Sequence, residues 1–266
     1  MSRPGAELKF AEIEARLGGR LGVAALDTGS GKQLSYRRDE RFAMCSTFKS
    51  LLVANVLSHV EKGWLSLDQR VPYSIADLIE HSPFMRDHLA EGSVPVADLC
   101  GATIEISDNT AANLLLSLIG GPPGLTDYLR RLGDPITRLD RTELSLNSNI
   151  RGDDRDTTTP DAMIRTMSKI LVGDVLSPGA RTRLVNWMKN CRPGFSRLRA
   201  GLPQDWIVGD KTGTGSNGAA NDTAILWPPG RAPIMVAAYL SESANPPEDL
   251  NAAHAKIGSI VAAVFA

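Results

Sequence analysis

Met44-Cys45-Ser46-Thr47-Phe48-Lys49 runs directly into the apolar stretch Leu51-Leu52-Val53-Ala54-Asn55-Val56-Leu57, so a serine and a lysine stand one turn apart where a helix begins. Residues i and i+3 share a helix face, which brings the Lys49 amine within reach of the Ser46 hydroxyl. The backbone N–H groups and positive dipole end of the helix favour negative charge developing at the same point, and together these features describe an activated nucleophile. Alone the pattern is common, since a chain of 266 residues holds about one Ser-x-x-Lys by accident. Ser46 as a helix cap is the competing reading.

Three further segments supply parts that acyl transfer needs: Ser107-Asp108-Asn109, then Glu143 with Asn147, then Lys211-Thr212-Gly213. Taken singly, Ser107-Asp108-Asn109 also reads as a helix cap or turn, and Lys211-Thr212-Gly213 as a surface hairpin. Glu143 with Asn147 discriminates most, because a carboxylate and an amide on one loop can hold a water molecule and remove its proton.

Ser-x-x-Lys, Ser-Asp-Asn and Lys-Thr-Gly, in this order, form the set found in class A serine β-lactamases and penicillin-binding proteins. The chain resembles class A β-lactamases from Leu21-Gly22-Val23 to its C-terminal helix, through Cys45-Ser46-Thr47-Phe48-Lys49, Arg138-Leu139-Asp140-Arg141, Asp156-Thr157-Thr158-Thr159-Pro160 and Ala220-Asn221-Asp222. The resemblance implies an α/β (α+β) fold of the β-lactamase/transpeptidase type: a five-stranded antiparallel sheet with flanking helices and an inserted all-α subdomain. It implies one domain over 1–266, with an α/β subdomain from 1–44 and 190–266 and an all-α subdomain over 45–189 that includes an Ω-loop at 141–156. The implied activity is hydrolysis of the β-lactam amide bond of penicillins and cephalosporins through a serine acyl-enzyme, conferring resistance.

The roles implied follow from that chemistry. Ser46 is the nucleophile, and the N–H groups of Ser46 and Thr214 form the oxyanion hole. Lys49 is either the base that deprotonates Ser46 or the electrostatic support for a base acting through water. Ser107 carries a proton to the leaving nitrogen, helped by Lys49 and Lys211. Asn109 binds the substrate's side-chain amide. Lys211, Thr212, Gly213 and Thr214 bind the substrate carboxylate, the glycines letting backbone approach substrate. Glu143 and Asn147 prepare the hydrolytic water. The residue after the glutamate is often proline in that family and is Leu144 here, following a family cis bond if that bond is kept. Many relatives place an arginine just before Asn-Asp in the next strand, where this chain has Ala220; a smaller set supplies it earlier, where Arg197 matches. Arg197 therefore takes the carboxylate role, against Arg199 or plain solvent exposure. His81 matches a position of rim aromatic rings, where a substrate contact and an inert residue are both open readings. Arg141 and Asp156 match an ion pair that closes the Ω-loop, against two solvated surface charges. Two other readings, a D,D-peptidase and a non-catalytic β-lactam sensor, share the first three motifs but leave Glu143 and Asn147 unexplained.

The bulk properties agree with a globular enzyme. With 42% hydrophobic and 22% charged residues in 266, the chain can bury a large core. Its 29 basic and 30 acidic residues give a formal charge of -1 and are mixed along the chain, so neither a nucleic-acid nor a membrane partner is expected. The expected partners are small-molecule β-lactam substrates and inhibitors, met by a monomer that needs no cofactor. His59, His81, His88 and His254 lack ligand spacing, so no metal is expected. Cys45, Cys100 and Cys191 read as free and buried; relatives that bridge a cysteine to the Cys100 position have the partner where Val53 stands, and others pair the Cys45 position with one at Gly215. Met1 to Gly5 lead into an amphipathic segment with no secretory apolar region. Either the protein is cytosolic or a signal was removed; the resemblance favours a periplasmic or secreted mature protein.

Along the chain, residues 6 to 17 read as a helix, followed by a hairpin flanking Asp27-Thr28-Gly29-Ser30-Gly31. From about 46 to 190 the signals are helical, with short breaks at Ser66 to Asp68, Gly92-Ser93, Gly120 to Pro123 and Ser177-Pro178. Residues 143 to 160 are polar and aperiodic, the mark of a functional loop. Beyond 204 three strand-like runs precede a final helix from about 248, so both termini feed a mixed layer with a helical layer inserted between and the site at their junction.

Overall fold

The computed structural model describes residues 3–265. Its elements run α1 (Arg3–Leu17), β1 (Arg20–Asp27), β2 (Gln33–Tyr36), β3 (Phe42–Ala43), α2 (Phe48–Glu61), β4 (Arg70–Pro72), α3 (Pro83–Asp87), β5 (Ser93–Pro95), α4 (Val96–Glu105), α5 (Asn109–Leu118) and α6 (Gly121–Arg131). They continue with β6 (Thr157–Thr158), α7 (Pro160–Leu171), α8 (Pro178–Lys189), β7 (Ile207–Thr214), β8 (Ala220–Trp227), β9 (Ile234–Ser241) and α9 (Pro247–Phe265). Five strands from the two ends form one antiparallel sheet in the order β2-β1-β9-β8-β7, which leaves β7 at an open edge.

Alternation along the strands sends side chains to two cores. Ile234, Val236, Ala238 and Leu240 of β9 join Leu21, Val23 and Ala25 of β1 beneath α1 and α9, where Phe10, Ile13, Ile257 and Val261 cover them. Met235, Ala237 and Tyr239 face the opposite way, into a core shared with α2, α4, α5 and α7. β9 is therefore apolar without interruption because neither face meets water.

The helix α2 is buried all round: Phe48, Leu51, Leu52, Val53, Ala54, Val56 and Leu57 are each at most 1% exposed, as expected of a helix that is apolar on every face. Each such Leu, Val or Phe contributes about 1.5–3 kcal/mol by leaving water. This helix carries Lys49 in its first turn, and Ser46 directly precedes it.

One expectation fails. Residues 62 to 95 are not a helical continuation of α2 but a run of turns, a short helix α3 and the two-stranded ribbon of β4 and β5, in which Val71 pairs with Val94. Pro72, Pro83 and Pro95 each deny the chain an N–H, and Gly92 takes a left-handed φ of 66° that turns it into β5. The apolar spacing there serves packing of single residues such as Met85. Among the described residues no helix is long and apolar enough to cross a membrane.

Candidate active site

Between β3 and α2 the chain makes a tight turn in which Cys45 adopts φ 45°, a conformation that non-glycine residues rarely take and that costs on the order of 1–3 kcal/mol. Neighbours over-determine it. Asn221 Nδ2 from β8 donates to the carbonyls of Ala43 at 2.9 Å and Met44 at 3.1 Å, and Met44 N–H donates to the Asp156 carbonyl at 2.9 Å. Ser46 does not cap the helix. Its hydroxyl donates to Glu143 Oε1 at 3.2 Å.

The same carboxylate oxygen lies 3.0 Å from Lys49 Nζ, with both side chains fully buried. Among the described residues no hydrogen bond joins Ser46 to Lys49 directly, contrary to the expectation from helix spacing; Glu143 stands between them. The reason is that Lys49 is drawn to other acceptors, the Ser107 carbonyl at 2.8 Å, Ser107 Oγ at 3.2 Å and Asn109 Oδ1 at 2.6 Å. On its far side Ser107 Oγ accepts from Lys211 Nζ at 3.1 Å. A continuous polar chain thus runs Ser46, Glu143, Lys49, Ser107, Lys211. Burial holds the Lys49 ammonium below its ordinary value, against the pull of Glu143. Burial also pushes Lys211 down to about 8, opposed by the Cys191 thiol and reinforced by the Lys49 charge.

The triplet at 107 to 109 divides its labour. Ser107, at φ 60°, turns its hydroxyl between the two lysines. Asp108 is the cap, accepting from Ala111 N–H at 2.9 Å at the start of α5, so the cap reading of this motif holds at Asp108. Asn147 Nδ2 donates to Glu143 Oε2 at 2.5 Å, which leaves the buried Asn147 Oδ1 with no partner. The Glu143–Leu144 peptide bond is cis. The loop is closed from behind by Arg141 Nε on Asp156 Oδ2 at 2.5 Å, while Asp156 Oδ1 accepts the N–H groups of Asp140 and Arg141. With the Asp156 side chain at 0% exposure, these are not solvated surface charges.

Across the cleft, β7 brings up Thr212, Gly213 and Thr214. Gly215 N–H pairs inward with the Ala219 carbonyl at 3.0 Å, so ladder alternation turns the Thr214 N–H to the open sheet edge beside the nucleophile turn. A Cβ on Gly213 would sit 2.7 Å from the Met44 carbonyl and 3.1 Å from Ser46 N, so its absence lets the strand pack on the nucleophile turn.

Arg197 is 8% exposed, which rules out the solvent-exposed alternative. Its Nη1 donates to the carbonyls of Gly213 at 2.7 Å and Asn221 at 2.6 Å, and Nη2 donates to Thr214 Oγ1 at 2.6 Å. Burial holds its guanidinium below the ordinary value, with Asp222 opposing. Arg199 is occupied elsewhere, on Asp210 at 2.6 Å. His81 lines the cleft with its ring Nε2 3.1 Å from the Ile106 carbonyl. Ser46, His81, Ser107, Asn109, Leu144, Asn147, Pro193, Thr212, Gly213 and Thr214 enclose about 310 Å³.

Sequence reasoning missed Asn113. Its Nδ2 donates to the Glu143 carbonyl at 2.9 Å and its Oδ1 accepts the Glu143 N–H at 3.0 Å, a two-point clamp on the loop. The available signal was its position four residues after Asn109, on the same face of α5.

The model of the "Beta-lactamase enzyme family" matches residues 6–265. Beta-lactamase L2 of Stenotrophomonas maltophilia is 48% identical over 252 residues, 94% of this chain and 83% of that protein. The carbapenem-hydrolyzing beta-lactamase KPC of Klebsiella oxytoca is 48% identical over 231 residues, 86% of this chain and 78% of that protein. The solved structure of an ancestral (GNCA) beta-lactamase class A superposes with a TM-score of 0.96 at 53% identity, covering 98% of this chain and 100% of that one.

Proposed function

The chain belongs to the class A serine β-lactamases, and from that premise we propose that Ser46 carries the acyl group and that Glu143 with Asn147 prepares the water that removes it. The protein is a hydrolase that opens the β-lactam amide bond of penicillins and cephalosporins and so confers resistance.

The reading of the residues rests above all on one observation: Ser46 Oγ and Lys49 Nζ converge on a single oxygen of Glu143, at 3.2 and 3.0 Å. In acylation, Ser46 Oγ bonds to the β-lactam carbonyl carbon and its proton passes into the Glu143–Lys49 pair. The resulting oxyanion is received by the N–H groups of Ser46 and Thr214. As the carbon–nitrogen bond breaks, Ser107 gives its proton to the departing nitrogen and is reprotonated by Lys49, 3.2 Å away, with the proton that came from Ser46, so Glu143 is left a carboxylate and Lys211 supports the transfer by its charge. Asn109 and His81 face the substrate's amide side, and Lys211, Thr212, Thr214 and Arg197 its carboxylate. Arg197 acts on Thr214 and the strand carbonyls, which aligns these donors.

In deacylation, Glu143 takes a proton from water while the oxygen attacks the ester carbon, and as the ester bond breaks it passes that proton to Ser46 Oγ, which restores both groups. The unpartnered Asn147 Oδ1 supports this role, because a buried acceptor without a donor is costly unless a ligand or water meets it. Glu143 with Asn147 favours a hydrolase over a D,D-peptidase or a sensor that stays acylated. A monomeric enzyme acting outside the cytoplasm belongs to the same reading. Nitrocefin turnover tests it: many cycles per enzyme are expected, and a single burst equal to the enzyme concentration would contradict it.

A further inference from the structure

The loop that carries Glu143 and Asn147 is tied to the turn between β7 and β8 by two asparagines that face each other. Asn149 Nδ2 donates to the carbonyls of Asn217 at 2.9 Å and Ser216 at 3.3 Å; Asn217 Nδ2 donates back to the carbonyls of Ser148 at 3.0 Å and Asn149 at 3.3 Å. Asn149 Oδ1 in turn accepts from Ser241 Oγ at the end of β9, at 3.0 Å, so its amide is engaged at both ends. Both asparagines have left-handed backbones, φ 44° and 52°, a region that Asn and Asp tolerate better than other side chains. Inside the pair, Ser216 N–H donates to the Asn147 carbonyl at 2.9 Å, and a Cβ on Gly215 would fall 2.6 Å from that carbonyl. The turn that ends the substrate-binding strand therefore also holds the backbone of Asn147.

We infer that the Asn149–Asn217 clasp positions Asn147 for the hydrolytic step. The inference rests on the roles proposed above for Glu143 and Asn147. Neither clasp side chain lines the cleft. Glu143 is gripped separately by Asn113, Lys49 sits in the first turn of α2 with Ser46 just before it, and Ser107 precedes α5; the clasp hydrogen-bonds to none of them. Releasing the clasp thus frees the water-positioning amide while leaving Ser46, Lys49 and Ser107 in place, and Thr214, on the strand ahead of the turn, keeps its own hydrogen bond from Arg197 Nη2 at 2.6 Å. Displacement of a positioned group by about 1 Å is enough to slow a step up to ~100-fold.

Asn149→Asp and Asn217→Asp keep shape and tolerate the same φ but lose the N–H donors; Asn149→Gly keeps the φ and removes the side chain. Single-turnover kinetics with a penicillin, read by intact mass, should show deacylation slowed about tenfold, acylation within about twofold, and the double Asp variant no slower than either single one. Hydrogen exchange of amides 145 to 151, measured without substrate, should speed up about tenfold. Unchanged exchange, or acylation and deacylation slowing in parallel, would overturn the inference. Absence of any adduct on the wild-type protein would instead remove the Ser46 reading, and the exchange result would still decide whether the clasp holds the loop.

Discussion

The helix that carries Lys49 and the loop that carries Glu143 meet at one carboxylate oxygen but are held by opposite means. Leu51, Leu52, Val53 and Val56 surround α2 with apolar contacts at 0% exposure, so Ser46 and Lys49 stand on a support fixed by hydrophobic burial. Residues 141 to 156 contain a single three-residue helical turn and are held by polar contacts: Arg141 on Asp156, Asn113 on Glu143, Asn217 on Asn149. Packing of the first kind is non-directional and spread over many atoms. Contacts of the second kind are few and directional, so removing one has a local effect. On the roles proposed above, acylation draws on groups fixed by the core and deacylation on groups held by a polar loop.

Four experiments break or sharpen this contrast. Ser46→Ala should abolish covalent labelling and reduce turnover by roughly 10⁴-fold or more; a penicilloyl adduct on that variant by intact mass would remove Ser46 from its role. Glu143→Ala should lower turnover ~10³-fold while an acyl-enzyme builds up, and full turnover would mean another group prepares the water. These two outcomes are opposite in kind, one for each region. Arg141→Ala leaves the buried Asp156 carboxylate without its cation and should cost about 3 kcal/mol in urea unfolding. Deacylation should then slow more than acylation, and equal slowing would count against the loop as a separate unit.

The smallest effect is in pH. Lys211 lies near 8, protonated below that value and neutral above it. Its attraction for a substrate carboxylate is therefore present at pH 7 and lost as pH rises through 8. kcat/KM for a penicillin should fall about tenfold between pH 7 and 9; a profile flat to pH 9.5 would show that Arg197 alone supplies the charge.

The residues that meet at the cleft, Ser46 with Lys49, Ser107 to Asn109 and Glu143 with Asn147, were readable in the chain because acyl transfer needs particular functional groups in local spacings. The terminal hairpin, the late strands and the last helix were equally legible, since periodicity and Gly or Pro punctuation are local signals. Asn113 was not, because its place four residues after Asn109 shows which helix face it shares but not that Glu143, 30 residues on, packs against that face. Residues 62 to 95 misled because Val71, Tyr73, Met85 and Val94 reach the helical core from turns and a short ribbon rather than from one helix face.

By itself the sequence determined the reaction class and the order of the elements, which depend on residue type and short-range pattern. Only the tertiary structure decided that Glu143 stands between Ser46 and Lys49, across 97 residues of chain, that Arg197 rather than Arg199 reaches Thr214, and that Gly213 makes room for the nucleophile turn. Those outcomes depend on which surfaces are pressed together when the sheet and the helical layer bury their apolar faces. That is a property of the packed whole, which no single stretch of the chain contains.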